Sequence, residues 1–386
     1  MQSNFGKNYI RLILNFFVGC IILLSASLTY TQIGLGLTPV TICLFMALPF
    51  LFIYLLIKKL SVNLYFIDLF LFILVFMAFF SQIWTIDSKV WSNNFFWYIV
   101  CILVFFLVRC SVVDKNDYKF IAFFCYVAII FNFFKIVFDQ EIDQSTPVVR
   151  YAIEGININF TAYSLVATLY IYILIYKYKF VDSRIVFLLF NLITLYLVFL
   201  LQTRGALISI FLMWLWLILN KKNLTKIRYA YIYILFFLGF AVTLGWTNSL
   251  LLLMDLYFFK ERSTGDLSGR SEQWDLAYNI IQDNPFLGIG IGSFESTNPN
   301  GIGVHNFYLN IMLELGLVGL LIYFLCFISI FSRNFTFTVN DNVKFVFGLF
   351  VSFIFPISLS GSWQLAPLLW ALLAITFNIL WVNKNG

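Results

Sequence analysis

The stretch Leu69-Phe-Leu-Phe-Ile-Leu-Val-Phe-Met-Ala-Phe-Phe80 carries no charge, no proline and no glycine. Read out to 64–84, it includes one ionisable group, Asp68. A helix with an apolar surface all round belongs in a membrane or a large core. The rest of the chain decides which. Of its 386 residues, 62% are apolar and 11% charged, and mean hydropathy is +0.93. Soluble domains carry about 25% charged residues. A water-soluble fold could not hide this much Phe, Leu and Ile, and lipid can.

Similar runs recur near 12–30, 36–57, 94–112, 118–138, 159–177, 184–202, 205–219, 229–250, 306–332, 343–360 and 363–382. With 64–84 they make about twelve spans. They must be helices, because lipid offers backbone polar groups no partner. At about 20 residues each they use roughly 240 and leave about 145 for ends and loops. That leaves no room for a second soluble domain. The expected fold is all-α and polytopic. Spans one to nine fill 1–250, with short loops apart from a longer outer one at about 139–158. A large outer loop at 251–305 follows, and three spans fill 306–386. Lys7 and Arg11 before an apolar run, then Ser25-Ala-Ser27, mimic a signal peptide, but an uncleaved first span fits equally well.

Sidedness follows from the cations. With the N-terminus inside, the inner segments hold 17 Lys and Arg and the outer segments six, while Lys135 lies within span five. This asymmetry obeys the positive-inside rule. It puts both termini in the cytoplasm and explains the net charge of +6 as topology, so nucleic acid is not an expected partner. The six cysteines fall in or at the ends of apolar runs, and no disulfide is expected.

The large outer loop carries the chemistry. In Ser268-Gly-Arg-Ser-Glu-Gln-Trp274, Ser268 can cap a helix, and Trp274, Ala277, Tyr278 and Ile281 follow at i, i+3, i+4 and i+7. Asn284-Pro285 ends it. The reading is an amphipathic helix over 269–283, with Arg270 one turn before Trp274. Gly288-Ile-Gly-Ile-Gly-Ser293 lacks the GxGxxG spacing and reads as a flexible turn. His305, the only histidine, stands where the loop enters span ten, and Asn306, Asn310 and Glu314 make a polar stripe down that helix. Arg204 lies in the tight outer turn Gln202-Thr-Arg-Gly-Ala206. Each has a plain structural reading: an arginine snorkels to head groups, and an interfacial histidine packs. One histidine and no outer cysteine exclude a His/Cys metal site. Asp139, Glu141 and Asp143 read as a solvated acidic loop. No cofactor is expected.

Four motifs now stand in order: Thr-Arg204-Gly-Ala; Gly-Arg270-x-x-x-Trp274; Asn284-Pro-x-x-Gly-x-Gly290; and His305-Asn-x-Tyr-Leu-x-x-x-x-Glu314-Leu-Gly-x-x-Gly319. Together they resemble the O-antigen ligase and polymerase superfamily over about 200–325. Gly155-x-Asn-x-Asn159 is a weaker echo, and the first 140 residues match in hydropathy alone. The resemblance implies a fold like that of polytopic GT-C-type glycosyltransferases in a bacterial inner membrane. It implies a glycan donor on undecaprenyl diphosphate and an acceptor hydroxyl on the periplasmic side. The acceptor is the next repeat unit for a polymerase, lipid A–core for a ligase, or a protein hydroxyl for an O-oligosaccharyltransferase. Arg204 and Arg270 match the family's arginines and would take the diphosphate. His305 matches its histidine and would orient or deprotonate the acceptor. Glu314, Asn306, Asn310, Trp274 and Tyr308 would support them. Partners would be the lipid-linked donor, the acceptor glycan, the bilayer and other polysaccharide-assembly proteins. A glycan flippase is the competing class, but ionisable groups within the spans are few.

Overall fold

The computed structural model describes residues 2–27, 37–58, 64–138, 141–143, 150–152, 158–177, 183–201, 203–220, 270–299, 301, 303–332, 341–358 and 365–381. The helices are α1 (Gln2–Ser27), α2 (Pro39–Ile57), α3 (Phe66–Phe80), α4 (Ser88–Ser111), α5 (Lys115–Phe138), α6 (Ile158–Lys177), α7 (Arg184–Leu200), α8 (Arg204–Leu219), α9 (Arg270–Asp283), α10 (Ser293–Thr297), α11 (Phe307–Ser332), α12 (Asp341–Ser358) and α13 (Pro367–Trp381). Between α5 and α6, β1 (Glu141–Asp143) pairs antiparallel with β2 (Arg150–Ala152), setting Ile142 opposite Tyr151. The outer loop at about 139–158 therefore holds a short ribbon.

Among the described residues, seven helices are long and apolar enough to cross a membrane: α1 to α6 and α11. Four shorter apolar helices are α7, α8, α12 and α13. Eleven of the twelve expected segments are thus helical, and the expected span at 229–250 lies outside the described residues. Local chemistry sets the boundaries. Thr38 and Thr41 form a reciprocal cap before Pro39 at the start of α2. Asp87 accepts from the amides of Lys89 and Val90 to open α4.

Burial ranks the helices. Within its span α6 is 83% buried, against 33% for α2 and for α3, so α6 is central and the other two are peripheral. Phe72, at 69% exposure, and Phe66, at 70%, show what the outer faces offer to lipid. Arg109, counted in the sequence among inner-loop cations, is buried. Its guanidinium pairs with Asp68 and sits 4.9 Å from the Tyr65 ring and 5.3 Å from the Phe377 ring. Asn378 donates to the Val112 carbonyl at 2.7 Å, joining α13 to the same end of α4.

Candidate active site

Aromatic pairs set helix directions. Phe327 meets Phe350 at 5.7 Å and Phe331 meets Phe347 at 5.2 Å, so α11 and α12 run antiparallel. Ser209 donates to the Phe353 carbonyl and Trp216 to the Phe345 carbonyl, so α12 and α8 also run antiparallel. The second half of α11, which starts just after Gly316, and α8 therefore begin toward the same end of the bundle, while the first half of α11 folds back so that Phe307 meets Tyr323 and Phe327 at 5.6 and 6.3 Å. Thr85, between α3 and α4, joins that end through Ser293, at 2.9 Å between hydroxyls.

Helix α11 is broken there. Gly316 has φ 66° and ψ −167°, a conformation open to glycine alone. The break leaves amides and carbonyls without helical partners, which a membrane interior does not tolerate. The segment 285–290 supplies them. Leu317 and Val318 donate to the carbonyls of Pro285 (2.9 Å) and Phe286 (3.3 Å). Ile289 and Gly290 donate to the carbonyls of Leu313 (2.7 Å) and Glu314 (3.1 Å). The approach is so close that a Cβ on Gly316 would stand 2.1 Å from the Phe286 carbonyl oxygen, and one on Gly288 2.4 Å from that of Leu313. The glycine run read as a flexible turn is instead a strap fixed by backbone hydrogen bonds. Its alternating glycines admit three close neighbours in turn, the α11 backbone at Gly288, the turn at Ser81 and Thr85 at Gly290, and Asn94 and Val90 of α4 at Gly292, a use that spacing rules for phosphate loops do not cover.

Glu314 holds the next part of the strap. Its buried carboxylate accepts from the Tyr98 hydroxyl at 2.9 Å and from the Gly292 amide at 3.3 Å. Asn306 and Asn310 are buried on the same helix, so the polar stripe faces protein. Asn306 also caps α11, its side-chain oxygen accepting from the amides of Tyr308 and Leu309 at 3.0 and 3.2 Å. Tyr308 stacks on Phe324 with 5.9 Å between centroids, a packing role.

The amphipathic helix is α9, within one residue of the sequence reading. Ala277 and Ile281 are buried with Phe294, Val304 and Leu313. Tyr278 is a correction: it is 59% exposed, because the buried stripe leans toward Ala277 and leaves the i+4 position on its flank. The Trp274 indole N–H donates to the Val304 carbonyl at 3.0 Å. His305 comes next, half-buried, at φ 50°. A non-glycine residue in this left-handed region is uncommon and is held by its surroundings. Here the indole holds the residue before it and the Asn306 cap follows it.

The backbones of Arg204 and Arg270 open α8 and α9, and their side chains lie outside the described residues. Thr203, beside Arg204, donates to the Asn159 side-chain oxygen at 3.2 Å. That contact ties the weakest sequence echo to the arginine turn. Arg270 precedes by one turn the tryptophan that anchors the residue before His305. Arg270 and His305 thus belong to the segment packed around Trp274 and Val304, and Arg204 to the turn tied to Asn159.

Residues 189–324 match the family model described as O-antigen ligase. Over this segment, about a third of the chain, the protein is similar to that family. The segment encloses Arg204, Arg270, His305 and Glu314, all four motifs read in the sequence. No curated protein matches the chain. The family supports a ligase- or polymerase-type enzyme of surface-polysaccharide assembly, on lipid-linked glycans in a membrane. Sequence reasoning missed Tyr98, Thr85 and Ser293. None sits in the four family motifs, Ser293 only closes the glycine run, and Tyr98 is one of 21 tyrosines in the chain.

Proposed function

We propose that this chain transfers a glycan from undecaprenyl diphosphate to an acceptor hydroxyl on the outer face of the inner membrane, as a polymerase of repeat units. The observation that carries the reading is His305, held left-handed between the Trp274 anchor and the Asn306 cap, with Arg270 one turn before that tryptophan at the start of α9. An imidazole, with its ordinary pKa of about 6.5, can take a proton at neutral pH. In this mechanism the imidazole of His305 accepts the hydroxyl proton as the acceptor oxygen bonds to the anomeric carbon. The bond from that carbon to the diphosphate oxygen breaks on the opposite side, which inverts the centre. The departing lipid diphosphate gains charge, and guanidinium groups at Arg204 and Arg270 offset it through paired hydrogen bonds. Charge placed in advance commonly speeds such steps more than any other single effect.

The balance of loop charge favours a polymerase over a ligase. Over 251–305, Asp255, Glu261, Asp266, Glu272, Asp275, Asp283 and Glu295 outnumber Lys260, Arg262 and Arg270. An acidic loop suits a neutral glycan acceptor better than the phosphates of lipid A–core. The test is a deletion strain complemented with wild type, Arg270→Ala or His305→Ala at matched membrane levels, its polysaccharide run on a gel. The expected variant pattern is core bearing a single repeat. Bare core with long chains left on the lipid carrier would make the protein a ligase. A wild-type ladder from both variants would overturn the site.

A further inference from the structure

We propose that Tyr98 is a positioning residue for the transfer reaction, acting through Glu314 on the glycine strap. The inference rests on the functional reading above and extends the working parts into the N-terminal half, before the family-matched segment. Tyr98 lies in α4, fully buried, ten residues past the helix start and so about 15 Å along its axis. Its hydroxyl donates to the Glu314 carboxylate across 216 residues of sequence. The other carboxylate oxygen accepts from the amide of Gly292, the last strap glycine. Directly after Gly292, Ser293 opens α10 and is bonded to Thr85. Phe294 of α10 then packs with Val304, the residue before His305. The path from Tyr98 to the histidine is therefore one phenol, one carboxylate, one amide and one packed core.

The geometry gives Tyr98 a task that packing alone would not need. Phenylalanine would fill the same space but would remove the hydroxyl that holds one carboxylate oxygen while the other receives Gly292. Small displacements of a reacting group are costly, up to about a hundredfold for 1 Å. A buried network of this kind transmits position because each member has one partner geometry.

The test uses full-length protein purified in detergent, with Tyr98→Phe, Glu314→Gln, Glu314→Ala and the double variant Tyr98→Phe/Glu314→Ala. Two readouts are taken: amide deuterium exchange over 286–294, and transfer from a synthetic undecaprenyl-diphosphate oligosaccharide. Tyr98→Phe should leave Tm close to wild type, speed exchange at the strap amides about tenfold, and lower kcat about tenfold with KM within twofold. Glu314→Gln, which keeps acceptor oxygen, should recover most of what Glu314→Ala loses. The double variant should be no worse than Glu314→Ala alone. Wild-type strap exchange in Tyr98→Phe overturns the proposal, as do equal losses in the Gln and Ala variants or additive losses in the double variant. If wild type itself transfers nothing, the functional reading fails. The exchange data then still decide whether the latch exists.

Discussion

Two buried carboxylates hold the two ends of this bundle by different means. Asp68, 6% exposed, meets the Arg109 guanidinium and the Tyr65 amide, inside a wall of Tyr65, Phe106 and Phe377. Glu314, 3% exposed, takes a phenol and a backbone amide. The first joins whole helices, α3 to α4, with α13 packed over them. The second joins α11 to α4 through the phenol and also to a connecting segment through the amide. One end is held by helix packing around a charge pair. The candidate active end is held by single hydrogen bonds and by glycines that admit close approach, and its order depends on register.

The comparison breaks most visibly at the ion pair. Arg109→Ala leaves Asp68 buried without its guanidinium, a change of about 3–5 kcal/mol. We expect little folded protein on detergent size-exclusion chromatography. A variant that elutes and melts like wild type would show that the ion pair does not hold its end of the bundle. Gly316→Ala comes next. Alanine there must hold a glycine-only conformation with its Cβ against Phe286, and the strain alone is about 1–3 kcal/mol. The expected outcome is a lower Tm with faster deuterium exchange over 285–290 while α4 stays protected. Uniform loss of protection would show that the two ends are one unit. The smallest effect sharpens the contrast: Asn306→Ala removes the α11 cap at about 1 kcal/mol, whereas Asn306→Asp keeps it. Thermal melts should place Asp near wild type and Ala below, with transfer activity falling more than Tm, since His305 is the neighbouring residue.

Much of the fold is legible because lipid makes the code simple. A run such as 64–84 has one stable conformation, and most helices fall within a few residues of the runs, although α1 and α4 begin ten and six residues earlier. Helix α9 is legible from its 3.6 period and from Asn284-Pro285. The residues flanking His305 are legible as a motif, although their tasks, an indole on Val304 and a cap on Tyr308, need coordinates. Less is legible where function depends on contact between distant segments. The break at Gly316 leaves no trace in hydropathy, because glycine is common in membrane helices. The strap glycines are visible, but phosphate-loop spacing is the wrong template when their close partners are neighbouring helices and the α3–α4 turn. Arg109 counts as a loop cation by its place near a helix end, where burial beside Asp68 cannot be seen.

The broken helix also bears on how the chain is made. Leu317 and Val318 lie inside an apolar run, yet their amides are satisfied by carbonyls from a segment that precedes the run and must fold back upon it. On the other side, Thr85 waits 208 residues of synthesis for Ser293. Insertion of spans in order from the ribosome therefore cannot finish this protein. The α3–α4 turn and the second half of α11 enter the bilayer with hydrogen-bonding groups that only a late, post-insertion docking step completes. Synthesis halted shortly before residue 285 would leave the turn at Thr85 and Ile86 open to the quality-control proteases of the membrane.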